Sequence, residues 1–182
     1  MIGFNQDEGT LFTRYSFTDN YNTPDPPYIS KERFQSELAY LLPYYNRYSN
    51  QFIENAIQQE YVDWAKTDNP AADYLEEWND IQTDFYFSCP AILEARYHVI
   101  ADDHPVYMYV FTHTPTISIY TSYTDPTVTP GWLGATHGEE LHFMFGYPFD
   151  PAPWLASHEY SEEERQLAYQ MIRYWTNFAK TG

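Results

Sequence analysis

Two residues in this chain could carry proton chemistry together: a histidine in a glycine-rich turn and a carboxylate far ahead of it. His137 lies in Gly131-Trp132-Leu133-Gly134-Ala135-Thr136-His137-Gly138-Glu139-Glu140-Leu141-His142-Phe143-Met144-Phe145-Gly146. Glycines there permit positive φ and close backbone approaches. An imidazole held on such a loop above a packed scaffold can serve as a general base. The plain alternative is a surface histidine satisfied by a local hydrogen bond. Glu8, in Asn5-Gln6-Asp7-Glu8-Gly9, argues for the sharper reading. A carboxylate on one strand-end loop and a histidine on a later one can meet at the C-terminal edge of a sheet. The acid would accept the Nδ1–H and fix the tautomer whose Nε2 takes a proton from a serine hydroxyl.

Caps and periodicity outline the elements that must position this pair. The segment from Gly3 to Phe12 reads as a turn after a strand, and Thr18 to Ile29 as a loop rich in Asn, Asp and Pro. Ser30 is a good N-cap for a helix with Phe34, Leu38, Leu41 and Leu42 on one face, and Pro43 is expected to interrupt it. A second amphipathic stretch carries Phe52, Ile53, Ala56, Ile57, Tyr61 and Trp64. Asn69-Pro70 predicts the start of a helix bearing Tyr74, Leu75, Trp78 and Ile81. Cys89-Pro90 opens another, with Ile92, Ala95, Arg96 and Val99, and Pro105 to Phe111 is β-branched and aromatic, hence a strand. Thr112 to Pro130 is a long loop with β-like patches. Ser161-Glu162-Glu163-Glu164 is a capping box, its acids suiting a helix N-terminus. The helix it starts has Ala168, Met171, Ile172, Trp175, Phe178 and Ala179 on one stripe. The class is α/β. Two isolated strands cannot make a stable sheet under so many helices, so the rest of the sheet is expected outside these residues.

Composition narrows the function. The chain has 182 residues, 43% of them hydrophobic, enough for one core. Its net charge of −17, from 26 acidic against 9 basic residues, argues against nucleic acid as a partner. An acidic field could steer a cationic ligand, or merely keep the protein soluble. Aromatics make up 20%, which suits an aromatic-lined pocket or a partner surface. The one cysteine, Cys89, is a buried thiol or half of a bridge whose partner is elsewhere. His98, His104 and His113 lack metal-ligand spacing and read as surface histidines; no metal or cofactor is expected. His142 reads as structural. Residues 1–182 hold no apolar run of membrane-spanning length, no signal-peptide pattern, no Asn-x-Ser/Thr sequon and no repeat, which for a truncated chain says nothing about secretion.

In α/β-hydrolases the triad runs serine, acid, histidine, with the serine on a G-x-S-x-G elbow. Glu8 precedes His137 as that order requires, and no G-x-S-x-G occurs. The nucleophile is therefore expected upstream of Met1. Five segments then resemble one family. These are Asn5-Gln6-Asp7-Glu8-Gly9, Tyr61-Val62-Asp63-Trp64, Thr83-Asp84 through Cys89-Pro90, His137-Gly138-x-Glu140 with Phe143-x-Phe145-Gly146, and Tyr174-Trp175-x-x-Phe178-Ala179-Lys180-Thr181-Gly182. In that order they resemble the second half of the catalytic domain of type-B carboxylesterases, and within them the cholinesterases.

The resemblance implies a partial α/β-hydrolase fold, with residues 1–182 a single domain truncated at both ends. It implies Glu8 as triad acid and His137 as general base and acid, acting on small carboxylic esters, choline esters among them. Leu11, Phe12, Tyr15 and Trp132 fall where cholinesterases line their active-site gorge, although Tyr15 and Trp132 could equally be plain core or surface aromatics. Cys89 falls at one half of a disulfide whose partner lies outside the fragment. The helix ending near Trp64 falls at a homodimer interface. A secreted protein, or one on the extracellular face of the membrane, is implied as well. Leu11 replaces an aromatic that supplies a cation–π wall in choline binders. His142 replaces an acidic residue, and the 112–130 loop is longer than usual. A general carboxylesterase without choline selectivity, and a non-catalytic neuroligin-like adhesion domain, are the alternatives. Alone, the fragment is expected to be inactive and poorly soluble.

Overall fold

The computed structural model describes residues 1–17, 25–45, 50–101, 104–120, 130–150 and 159–182. Two four-residue strands, β1 (Ile2–Asn5) and β2 (Met108–Phe111), pair in parallel with Ile2 opposite Met108 and Asn5 opposite Phe111. The strand expected from Pro105 begins three residues later. The ladder extends one step at each end, through Ile2 N–H to Tyr107 O at 2.9 Å and Gln6 N–H to Phe111 O at 2.8 Å.

The helices are α1 (Thr10–Phe17), α2 (Lys31–Tyr45), α3 (Gln51–Tyr61), α4 (Leu75–Thr83), α5 (Cys89–Ala101), α6 (Glu140–Met144) and α7 (Glu162–Thr181). Two of these, α1 and α6, depart from the sequence reading: the turn read from Gly3 to Phe12 overlaps the start of α1, and α6 lies in the glycine-rich stretch around His137. Pro43 does not stop α2, which runs two residues past it. So near the C-terminus a proline forfeits a single bond, to the Ala39 carbonyl, and the apolar face holds the rest. Trp64 is not on α3; it sits in a separate 3-10 turn, Trp64–Lys66, capped by the Asp63 carboxylate. Asn69 caps only a local turn, through Ala71 N–H at 3.0 Å. The helix begins at Leu75 instead, where Asp73 Oδ1 accepts from Leu75 N–H at 3.1 Å and from Ile29 N–H at 3.0 Å. The α4 and α5 helices form one run, joined by a π-helical turn, Asp84–Ser88. The capping box of α7 forms fully, Ser161 and Glu164 satisfying each other's backbone N–H groups.

Two apolar clusters organise the packing. Ile29, Phe34, Leu38, Leu41 and Leu42 of the α2 region meet Tyr74, just ahead of α4, and Trp78 and Ile81 of α4; each such buried side chain contributes about 2 kcal/mol. Phe111 of β2 meets Ala135, Phe143 of α6, and Ala168 and Met171 of α7. Tyr109 and Trp175 rings, 4.9 Å apart, and Tyr107 and Phe178 rings, 5.9 Å apart, lay α7 along β2. No helix among the described residues is long and apolar enough to cross a membrane.

Gly9, where the acid turn enters α1, touches α4 by its backbone. Its N–H donates to Thr83 Oγ1 at 2.9 Å, and a Cβ there would stand 2.2 Å from the Asn79 carbonyl oxygen. Gly9→Ala must therefore part α1 from α4. The expected cost is about 2 kcal/mol, read as a lowered melting temperature; an unchanged one would contradict the contact.

Candidate active site

The acid turn and the histidine turn are stitched together through main-chain contacts. Asp7 N–H donates to the Ala135 carbonyl at 3.1 Å, and Asp7 Oδ2 accepts from Ala135 N–H at 2.8 Å. Gly134 makes that approach possible. Its φ of 62° is paired with ψ of −142°, a region open essentially to glycine alone, and a Cβ would sit 2.2 Å from Asp7 Oδ2. Thr10 Oγ1 lies within hydrogen-bond reach of Asp7 O, Leu133 O and Thr136 Oγ1. Asn5 Nδ2 donates to Thr136 O at 2.7 Å and to Glu140 Oε2 at 2.6 Å, so the last residue of β1 also grips the turn.

This stitching brings Glu8 and His137 together. Glu8 Oε2 lies 2.7 Å from His137 Nδ1, while Oε1 accepts the Asn5 N–H at 2.7 Å. A carboxylate only accepts, so Nδ1 carries the proton and Nε2 is left as the basic nitrogen. Glu8 is 4% exposed, whereas the His137 side chain is 48% exposed. The hydrogen bond that Nδ1–H donates to Glu8 is the chief influence raising the His137 pKa; burial opposes it, and the Glu8 and Glu140 charges add to it. Gly138, at φ 85°, lets the chain turn directly after the histidine.

The remaining sequence-predicted residues are distributed unevenly. Phe12 is half-buried and joins an aromatic group, 4.8 Å from the Tyr86 ring and 6.1 Å from the Phe87 ring. Leu11 is half-buried on the same helix, and Tyr15, one turn on from Leu11, is exposed. Trp132 lies half-buried in the 3-10 turn Gly131–Leu133. Cys89 is free and exposed, which corrects the buried-thiol alternative. His113, read as a surface histidine, is half-buried with Nε2 3.2 Å from Glu164 Oε1. His142 is buried, and Tyr160 hydroxyl and Nδ1 lie 2.7 Å apart. Burial pushes its pKa down to about 4 despite contact with the Ile117 main chain, so it is a neutral core residue. No His, Cys, Asp and Glu group with metal-holding geometry occurs among the described residues.

Sequence reasoning missed Phe87, whose ring centroid is 5.0 Å from that of His137. The Phe85-Tyr86-Phe87 run lies inside a recognised motif, but helical periodicity cannot say which ring faces the site, because a π-turn shifts the phase. It also missed Glu139. That side chain is fully buried, accepting from the Ser118 hydroxyl and from Ile119 N–H, and burial pushes its pKa up to about 7.

Comparison with known proteins is consistent along the whole chain. The Carboxylesterase family matches residues 1–182. The chain is 29% identical over 182 residues to the acetylcholinesterase of Bungarus fasciatus and 29% identical to that of Gallus gallus. Both alignments cover 100% of this chain, but only 27% and 21% of those proteins. It is also similar, at 26% identity over 186 residues, to an acetylcholinesterase of Leptinotarsa decemlineata. The chain thus spans about a quarter of the length of the curated relatives it matches.

Glu139 makes a pH-dependent contribution whose sign is fixed. Its native pKa of about 7 exceeds the ordinary 4.5, so between those values the native state holds a proton the unfolded chain lacks. The stability linked to that proton is complete below pH 4.5 and is lost as pH rises through about 7. Glu139→Gln removes the titration. Between pH 5 and 8 the parent's melting temperature should therefore decline relative to the variant's; parallel curves would contradict the assignment.

Proposed function

The chain belongs to the carboxylesterase family, and we propose that it forms part of a carboxylic ester hydrolase. In this reading residues 1–182 are one section of an α/β-hydrolase domain. Glu8 is the triad acid, His137 the proton shuttle, and the nucleophile a serine outside these residues. The single observation that carries the reading is the 2.7 Å contact between Glu8 Oε2 and His137 Nδ1.

The serine oxygen attacks the acyl carbon as its proton passes to His137 Nε2. Glu8 holds the ring in the reactive tautomer and stabilises the imidazolium that results. His137 then gives the proton to the departing alkoxide, leaving an acyl-enzyme. Water repeats the sequence: it loses a proton to Nε2, attacks the acyl carbon, and the serine oxygen leaves with that proton. Phe87 supplies an apolar wall beside the imidazole, backed by Phe12, suited to the uncharged part of an ester.

Several finer features belong to the same proposal. Choline esters are candidate substrates, given the similarity to acetylcholinesterases. Leu11 favours a second reading, in which neutral esters turn over as readily because one cation–π wall is lost; comparable kcat/KM for a choline ester and its neutral isostere would establish it. Exposed Cys89 is open to a disulfide with a cysteine outside these residues, which fits a protein that is secreted or held on the extracellular face. Phe52, 85% exposed on α3, and exposed Trp64 offer apolar surface for a homodimer. The open two-stranded ladder, with Met108 and Val110 exposed, is what a section of a larger sheet would present.

In the full-length protein, Glu8→Gln and His137→Ala are each expected to lower kcat for a carboxylic ester by about 1,000-fold or more, with the melting temperature nearly kept. Near-parental turnover by either variant would refute the assignment.

A further inference from the structure

The imidazole of His137 is held by Glu8, but its main chain has a separate partner. The Tyr120 hydroxyl donates to the His137 carbonyl oxygen at 2.8 Å. Tyr120 is itself held at three points. Arg14 Nη2 donates to its carbonyl oxygen at 3.2 Å, the Arg14 guanidinium lies 5.3 Å from its ring centroid, and its N–H donates to Ser118 Oγ at 3.0 Å. Ser118 in turn donates to Glu139, two residues beyond His137, and Ile119 N–H donates to the other Glu139 oxygen at 3.3 Å. The contacts close a ring between residues 118–120 and the histidine turn, and Arg14 of α1 holds Tyr120 from outside it.

These partners are costly to place. Arg14, Ser118 and Glu139 are buried to 6%, 4% and 0% exposure, and polar or charged groups so deep are tolerated only when hydrogen-bonded. The ring of contacts supplies a purpose. The Asp7, Thr10 and Asn5 contacts hold the turn at Ala135, Thr136 and Glu140, and Glu8 holds the imidazole, but none of them grips the main chain of His137 itself. Proton transfer demands that Nε2 stay within a fraction of an ångström of its productive place. The Tyr120 bond adds a restraint at the His137 carbonyl, on the main chain of the residue that bears the imidazole.

We propose that Tyr120 is a positioning residue for His137: it restrains the histidine's main chain, while Arg14, Ser118 and Glu139 hold Tyr120 in place. This rests on the reading of His137 as the proton shuttle. Burial also pushes the Tyr120 phenol above its ordinary pKa, so the hydroxyl remains a donor throughout the neutral range.

The test uses Tyr120→Phe in the full-length protein, which deletes the hydroxyl and keeps the ring against Arg14. Turnover of a carboxylic ester should fall about five- to tenfold in kcat, with KM within about twofold and the melting temperature within about 2 °C. The acid limb of the kcat/KM profile should move to lower pH. The charged groups facing His137 are Glu8 from the acid turn and Glu140 from α6, beside the neutral Phe87 ring. None of them is changed by the substitution, so the movement reports a looser hold on Glu8. Tyr120→Leu, which also loses the ring over Arg14, should lower kcat further. Parental kcat with an unmoved acid limb in Tyr120→Phe would overturn the proposal, as would a loss of activity wholly accounted for by unfolded protein. If His137→Ala is inactive while Tyr120→Phe is parental, only the positioning role falls. If His137→Ala is active, both readings fall.

Discussion

The site depends first on the parallel pairing of β1 with β2. Because the two strands run the same way, the chain leaves both at one edge of the sheet. From β1 emerges the acid turn with Asp7 and Glu8; from β2 emerges the segment that carries Thr116, Ser118 and Tyr120. The register opposing Asn5 to Phe111 sets where each begins, and a slip of one residue would turn every strand side chain to the other face. Two strands of four residues are marginal alone. The rings of Trp175 and Phe178 on α7, packed on Tyr109 and Tyr107, therefore hold the edge in place.

On this frame the site is fastened largely by carboxylates used as acceptors. Glu8 receives Asn5 N–H and the imidazole, Glu139 receives Ser118 and Ile119, and Glu164 receives the N–H groups of Thr116 and Ser161. Part of the net charge of −17 is thus structural rather than a solvated coat. Local balance decides the protonation of each. At Glu164 burial pushes the pKa up, yet the N–H groups of Thr116 and Ser161 and the His113 imidazole outweigh it and the result is lowered. At Glu139 burial prevails over the Ser118 and Ile119 bonds and the Arg14 charge. A buried acid kept charged on α7 and one poised near neutrality in the histidine turn are thus set apart by their surroundings alone.

Much of this was legible in the sequence, for identifiable reasons. The α5 start at Cys89-Pro90 and the capping box at Ser161 are local chemistry and fall where propensity puts them, whereas β1 runs on to Asn5 through residues that read as a turn. Glu8 and His137 could be singled out as a pair because chain order and strand-end placement restrict where an acid and a base can meet. Where tertiary contact overrules local preference, the sequence misleads. Asn69-Pro70 looks like a helix start, but Asp73 caps Leu75 because it also binds Ile29. Pro43 looks like a stop, but one lost bond cannot undo a buried face. Phe87 and Tyr120 were not visible as site residues at all. Phe87 reaches His137 only through a phase shift in a π-turn, and Tyr120 reaches it from a loop with no periodicity.

The central claim is that Glu8 holds His137 through Nδ1 and thereby raises its affinity for a proton. The direct measurement is the titration of the His137 ring protons by NMR, in the parent protein and in Glu8→Gln. The midpoint is expected above the ordinary histidine value in the parent, because the carboxylate bond outweighs burial. In the variant the midpoint should shift clearly to lower pH. Superimposable titration curves would show that the contact carries no such coupling, and would contradict the account.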